Sequence, residues 1–377
     1  MKVLAIGGGV SSSIFAYQVK TKHPLWDVII YESSDAILKR ILVSGNGRAN
    51  FFNSSFLDES AHLSFNNQSE YMRLIGYAYA DRFLDLLSSR MSFMYYEDSS
   101  KRMYPFSNMS SSLKDILEKN LSRSGVKINL HAEAESIDPL NKEVLINNKP
   151  VSYDYLFLGL GGSAYDRDPR INEYIYKDLG LRYNKAEPAL CPVIVDNRLS
   201  FNKLEGTRLK GELSLYKENK LIYKEDGELL FKKDSISGIC VFDASLFITE
   251  PYTDYLIKFN PFRHDNKDCT AFDFTSDLEG LFPYKFCEYI SSSHLQKIDA
   301  KSILSLLAFK VKNKYPLKAS QISLGGVKTD QISDNLSLEK YPDIYVGGEM
   351  LDLHAICGGF NMGGAFLAGM KAAGSIK

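Results

Sequence analysis

Val3-Leu4-Ala5-Ile6-Gly7-Gly8-Gly9-Val10-Ser11-Ser12 opens the chain with a short apolar run that stops at three glycines. Such a run, ended by glycine, is the pattern of a buried parallel strand. Val10, Ile14 and Tyr17 then recur at helical spacing until Pro24 stops the helix. A second β-rich run, Trp26 to Tyr31, ends at Glu32. Strand, helix and strand within about thirty residues predict an α/β domain with a parallel core.

The glycines sit where a dinucleotide loop belongs, between strand and helix. Gly7 supplies the tight turn, and Gly9 lets the backbone approach a pyrophosphate at the helix N-terminus, beside Val10, Ser11 and Ser12. Glu32 lies twenty residues past Ser12 at the end of the second strand, suited to holding ribose hydroxyls. Ser12 stands where a third glycine would allow close helix packing. A tight βα turn uses glycine anyway, but strand, helix and acid all in place favour the dinucleotide.

The chain has 377 residues, enough for two or three domains and for a core that needs no metal or disulfide. Lys and Arg total 45 against 46 Asp and Glu, and the Lys-rich stretch 203–233 is interleaved with Glu. That balance argues against a nucleic-acid partner. The five cysteines (191, 240, 269, 287, 357) are widely spaced without a C-x-x-C pair, so reduced thiols and a cytoplasmic setting are expected, with no metal. No apolar run reaches membrane-spanning length.

Further along, a helical pattern covers Tyr71 to Leu87 and another Leu113 to Leu121, followed by strands at Val126 to Leu130 and Tyr153 to Leu158. Residues 190–249 alternate over short segments and predict a small antiparallel sheet or barrel. Residues 250–318 look helical, above all Lys301 to Lys312. From Gln321 the chain returns to strand and glycine, with a small-residue helix from about Asn361. The expected organisation is therefore a Rossmann-like domain over 1–187 and 319–377, a β-rich insert over 188–249 and a helical insert over 250–318.

Two more constellations suit polar ligand atoms. Ser44-Gly45-Asn46-Gly47-Arg48-Ala49-Asn50 combines glycines that permit an unusual backbone with the fixed charge of Arg48. Gly347-Gly348-Glu349-Met350-Leu351-Asp352, then Gly358-Gly359-Phe360-Asn361, places an acid and a glycine pair before a helix N-terminus. Sites at opposite ends of one chain suit a long ligand with two halves, and FAD is such a ligand.

With these motifs the sequence resembles the BaiN/YhiN-type, aminoacetone oxidase-like family of FAD-dependent oxidoreductases. Tyr104-Pro105-Phe106-Ser107, Gly161-Gly162 after a strand, Gly227-Glu228-Leu229-Leu230-Phe231 and Gly325-Gly326-Val327 also match in order. The resemblance implies a two-segment FAD domain interrupted by an insert. It implies that Glu32 holds the adenosine ribose, Gly7 and Gly9 the pyrophosphate, and Gly348 and Glu349 the ribityl or pyrophosphate region, with Gly161 nearby. It places Gly358, Gly359, Phe360, Asn361 and Met362 at the flavin ring through backbone N–H groups. Arg48 and Asn50 are expected beside the flavin, with Ser44, Gly45 and Gly47 in the same loop.

Departures from the family pattern bear on the chemistry. Lys232-Lys233 replace a usual Thr-His pair, Ala49 a cysteine and Cys357 a threonine. A redox thiol in the Arg48 loop is thereby excluded. His354 occupies a usually acidic position and, with Arg48, is the candidate catalytic group, since a histidine titrates near neutral pH. Arg102 and Tyr104 are placed where they could touch substrate. The expected activity is electron or hydride transfer between a small organic substrate and FAD, with NAD(P)H as a transient donor. The loss of the Thr-His pair keeps open a non-catalytic flavin or dinucleotide sensor.

Overall fold

The structure is a computed structural model in which residues 1–165, 168–196, 201–264, 267–268, 278–293 and 298–377 are described. It divides into two compact units. One comprises Met1–Ser163, Arg167–Ala186 and Leu324–Lys377, the other Ala164–Asp166 and Glu187–Ser323.

The first unit is built on a parallel five-stranded sheet. Its elements are β1 (Lys2–Ile6), α1 (Val10–Lys22), β2 (Asp27–Tyr31), α2 (Lys39–Val43), α3 (Ser110–Ser124), β3 (Lys127–Asn129), β4 (Tyr155–Leu158), β5 (Ile344–Val346) and α4 (Phe360–Ser375). The strand order is β5-β4-β1-β2-β3. Val3, Leu4 and Ala5 are fully buried, as are Leu156, Phe157 and Leu158 of β4. Strands covered on both faces need continuous apolar runs, which is why β1 and β4 do not alternate. The order reverses between β1 and β4, and ligands of open α/β sheets bind outside the strand ends at such a switch point. Gly7 follows β1 there and Gly159 follows β4. A Cβ on Gly7, whose φ is +92°, would lie 2.5 Å from the Gly159 carbonyl oxygen.

The apolar pattern over Tyr71 to Leu87 is split between a helix Gln68–Leu74 and a second helical stretch that starts at Ala80–Asp85 and continues as a π-helical turn over Leu86–Arg90. Gly76 adopts a left-handed φ of +63° between them, a conformation that ends helices.

The second unit is a closed antiparallel barrel of six strands: Val193–Val195, Ser235–Ser237, Lys220–Phe231, Arg208–Lys217, Tyr255–Asn260 and Ala308–Lys314. Its long hairpin turns through Glu218 and Asn219, both left-handed, as a two-residue hairpin requires. The barrel core includes Leu213, Leu215, Ile257, Phe259, Phe309 and Val311.

This architecture corrects the expectation of a separate helical domain over 250–318. Two barrel strands, Tyr255–Asn260 and Ala308–Lys314, come from that segment, so the insert is one unit. The helix expected over Lys301 to Lys312 is likewise shorter. Asp299 caps it through a reciprocal capping box with Ser302, and it ends at Leu306. Beyond it Phe309 and Val311 turn inward while Lys310 and Lys312 turn outward, the period-two pattern of a strand.

Candidate functional site

The first helix starts without a side-chain cap. Gly9 is its N-cap, and its first intrahelical hydrogen bond runs from Ser13 N–H to Gly9 O at 3.0 Å. The N–H groups of Val10, Ser11 and Ser12 precede that bond and need other partners. The Ser11, Ser12 and Ser13 hydroxyls are buried with no hydrogen-bond partner. Ser12 fits in place of the usual third glycine because its Oγ lies against Gly159, where a Cβ would be 2.1 Å away. Gly347 makes the same room for Ser11, whose Oγ would be 2.8 Å from an added Cβ.

Glu32 leaves β2 beside this turn. Its Oε2 accepts from Gly8 N–H at 2.6 Å, and its Oε1 accepts from Ser34 N–H at 2.8 Å. Ser33 Oγ also donates to Oε1, at 3.4 Å; these donors fix the carboxylate, and Oε2 keeps a lone pair for another donor.

The C-terminal segment brings a second uncapped helix. The N-cap of α4 is Gly359 at φ +90°, and Gly363 N–H to Gly359 O at 2.9 Å is its first intrahelical bond. The N–H groups of Phe360, Asn361 and Met362 come before it. The two helices pack closely: a Cβ on Gly369 of α4 would sit 2.2 Å from Ser11 O of α1. Two positive helix ends therefore lie in one unit, an arrangement suited to an anionic, extended ligand.

Four asparagines shape the loop before α4. Asn53 Nδ2 donates to Gly358 O at 2.8 Å, and Asn66 Oδ1 accepts from His354 N–H at 2.9 Å. Asn361 clamps Ala355 through both its N–H and its carbonyl, at 2.9 and 2.7 Å. With its amide oriented to satisfy both groups, Asn50 donates to Phe52 O and accepts from Gly359 N–H, each at 3.2 Å. That bond corrects one detail: the Gly359 N–H expected at the flavin ring is taken by Asn50, leaving those of Phe360 to Met362.

The Arg48 loop reaches the same place through Asn50. Gly45, Asn46, Gly47 and Ala49 all have left-handed φ values between +54° and +81°. Asparagine adopts this region readily, but for the fully buried Ala49 it costs about 1–2 kcal/mol, a strain found mostly at functional sites. The exposed Arg48 guanidinium lies 5.0 Å from the centroid of the Tyr104 ring. Ser44 Oγ turns inward to Ile41 O at 2.7 Å.

Arg40 has no distinguishing signal in the sequence beyond its position after Glu32. It joins two of the expected residues' neighbourhoods: Nη1 pairs with Glu349 Oε2 at 3.1 Å and Nη2 donates to Gly162 O at 2.9 Å. Gly161, at φ +72°, offers its carbonyl to Asn172 Nδ2 at 2.8 Å, and Gly348 takes the same φ beside Ser11.

His354 is placed differently from a ligand-facing acid or base. Its side chain is fully buried, with Nε2 2.9 Å from Gly325 O and 3.3 Å from Asp352 Oδ1. Two acceptors facing Nε2 put the proton there, and Nδ1 is buried without a partner. Its role here is to tie the C-terminal loop to the strand Ile322–Val327. Burial raises the Asp352 carboxyl, but His354, the Asn184 amide and the Lys328 cation prevail and hold it below the ordinary value. A carboxyl lowered by folding contributes stability that is present above about pH 4 and lost as pH falls further. Going from about pH 5 to about pH 3 should therefore cost wild type more urea resistance than Asp352→Asn. Equal losses in the two proteins would show that this carboxylate is not held by its partners.

The second unit carries the other departures. Lys232 lies over the Tyr315 ring, and Tyr315 donates to Asp234 at 2.7 Å. Cys191, Cys240 and Cys287 are buried free thiols, Cys357 is half-buried, and Cys269 lies outside the described residues. Among the described residues no helix is long and apolar enough to cross a membrane.

The switch-point glycines, the fixed acid and the two uncapped helices define a dinucleotide-binding α/β protein. The profile of the HI0933-like protein Rossmann domain family matches residues 1–375. The chain belongs to this family of FAD-dependent oxidoreductases, as its motifs suggested. A 3-dehydro-bile acid delta(4,6)-reductase of Clostridium scindens is 26% identical over 97% of both chains. The ribosomal RNA dihydrouridine synthase of Escherichia coli K12 is 22% identical over 89% of this chain and 88% of that one. Among solved structures, 3-ketosteroid delta1-dehydrogenase from Sterolibacterium denitrificans shares the fold with a TM-score of 0.54. Its identity is 12%, over 99% of this chain and 98% of that one. A flavocytochrome c3 fumarate reductase does so at 0.51, with 13% identity over 99% and 77%.

Proposed function

We propose that this protein is an FAD-dependent reductase of carbon–carbon double bonds conjugated to a carbonyl, with NAD(P)H as electron donor. The observation that carries the cofactor reading is the pair of uncapped helices α1 and α4, packed on each other beside glycines and a fixed acid. FAD fits the residues present. The Val10, Ser11 and Ser12 N–H groups and the orphaned Ser11 and Ser12 hydroxyls would meet the pyrophosphate, with Glu32 on the adenosine ribose. Arg40 and Glu349 would meet the middle of the cofactor. The N–H groups of Phe360, Asn361 and Met362, with the Arg48 loop and Asn50, would lie toward the flavin.

When bound, FAD supplies a two-electron carrier between nicotinamide and carbon. The names of two relatives, a 3-dehydro-bile acid delta(4,6)-reductase and a ribosomal RNA dihydrouridine synthase, support a reduction of this kind. In net terms, hydride adds to the carbon β to the carbonyl, a proton adds to the α carbon, and NAD(P)H leaves as NAD(P)+. The balanced charge of the chain supports a small organic substrate over a polyanion.

A visible spectrum of the purified protein, with identification of what denaturation releases, comes first. A flavin band with FAD released, bleached by NADH or NADPH and restored by a conjugated enone, is the expected result. Bleaching by amines with hydrogen peroxide release would replace the reductase with an oxidase. A flavin that no donor reduces would favour the sensor.

A further inference from the structure

We infer that Arg48 binds the carbonyl oxygen of the substrate, on a surface that accepts a planar apolar molecule carrying one such oxygen. This rests on the reductase reading above and names the recognition chemistry of the same site. Arg48 projects from a loop whose backbone is left-handed at four of its positions, so its place is set by the main chain. Asn50, two residues on, holds the N-cap of α4, which puts Arg48 next to the second uncapped helix.

The guanidinium is arranged for a ligand rather than for a protein partner. No carboxylate among the described residues pairs with it, and its contact is the face of Tyr104. The Tyr104 ring also stacks with Tyr96, ring centroids 5.6 Å apart, and Tyr96 Oη donates to Asn108 Oδ1 at 3.0 Å. A guanidinium laid on a fixed ring keeps its plane, so its N–H edge is presented in one orientation.

Elements that adjoin the loop and the Tyr104 hairpin carry exposed apolar side chains. Leu42 and Val43 end α2, Met94 and Phe106 flank the hairpin that carries Tyr104, and Met109 precedes α3; all five are exposed. Two hydrogen bonds hold neighbouring pairs together: Phe106 N–H donates to Met94 O at 2.9 Å, and the hydroxyl of Ser110, beside Met109, donates to Leu42 O at 3.1 Å. An apolar surface with a guanidinium and no paired acid complements a flat hydrophobic molecule with one electron-rich oxygen. When hydride adds to the β carbon of an enone, negative charge gathers on that oxygen, and a guanidinium stabilises it as it forms.

The test uses the purified holoprotein and two probes of similar shape, trans-cinnamate and cinnamyl alcohol, titrated at low salt and followed by the flavin spectrum. Cinnamate is expected to bind wild type roughly tenfold or more tightly than the alcohol, as a hydrogen bond between charged groups provides. Arg48→Met should abolish that preference while retaining FAD, and Tyr104→Leu should weaken it. An Arg48→Met protein that retains both FAD and the preference overturns the proposal and leaves the reductase reading intact. So does a wild type that holds FAD and binds both probes equally. Loss of FAD from Arg48→Met would make Arg48 a cofactor ligand, which also overturns it. Wild-type protein without FAD would remove the reductase reading itself.

Discussion

Gly9→Val is expected to leave the protein folded and to abolish FAD retention. The backbone at Gly9 is extended, with φ −76° and ψ 179°, a conformation any residue adopts. A Cβ there would meet only Gly159 O at 3.9 Å, an ordinary contact. Packing therefore gives glycine no reason to be there, yet the position faces the unpartnered N–H groups of α1. A branched side chain would fill the space a pyrophosphate needs and keep its oxygens from those donors. We expect FAD affinity to fall by at least a hundredfold, about 2.7 kcal/mol, with the melting temperature of the cofactor-free protein unchanged. Flavin absorbance after gel filtration with added FAD, set beside a thermal melt of the stripped protein, reads both quantities. Gly7→Ala is the contrasting case, because its φ of +92° and the 2.5 Å approach to Gly159 O make the turn itself fail. If Gly9→Val retains the flavin band, the pyrophosphate does not lie at α1 and the cofactor assignment must be redrawn.

Gly369→Ala should destabilise the first unit although it sits inside a helix. Glycine to alanine in an exposed helix interior usually gains up to about 1 kcal/mol. Here the added carbon would be 2.2 Å from Ser11 O and 3.1 Å from its carbonyl carbon, both backbone atoms of α1 that cannot rotate away. The helices must separate, and overpacking of this kind costs about 1–3 kcal/mol or more before the propensity gain is subtracted. A net loss of about 2 kcal/mol and a melting temperature lower by roughly 4–8 °C are expected. On the proposed placement of the pyrophosphate at the N-terminus of α1, displacing that helix should also weaken FAD binding. A neutral or stabilising Gly369→Ala would mean that the close approach of α1 and α4 is not needed for the fold.

These positions show how far the sequence could be read. Gly7, Gly9 and Glu32 were legible because β-strand, turn, helix and acid follow one another within about thirty residues, and each obeys a local rule. Ser12 read as a departure from that rule, and its fit became clear only where Gly159, more than a hundred residues later, left the space empty. Asn53 and Asn66 carried no recognisable spacing, because the groups they hold are Gly358 O and His354 N–H at the far end of the chain. His354 drew attention as a histidine near the C-terminal glycines, and only its burial between Gly325 and Asp352 shows it as a tie between that loop and the strand Ile322–Val327.

By itself the sequence determined the parallel α/β core, the class of cofactor and the return of the chain to its first domain near the C-terminus. Those depend on period and spacing between near neighbours, where backbone sterics and helix geometry act directly. Only the tertiary structure decided that Ala308–Lys314 closes a barrel, that Arg40 meets Glu349, and that Arg48 lies on Tyr104. A barrel closes when its last strand finds an open edge, and an ion pair forms where folding brings two charges together. Neither event leaves a local pattern, because the partner that makes each arrangement favourable is distant in the chain and adjacent only in the folded molecule.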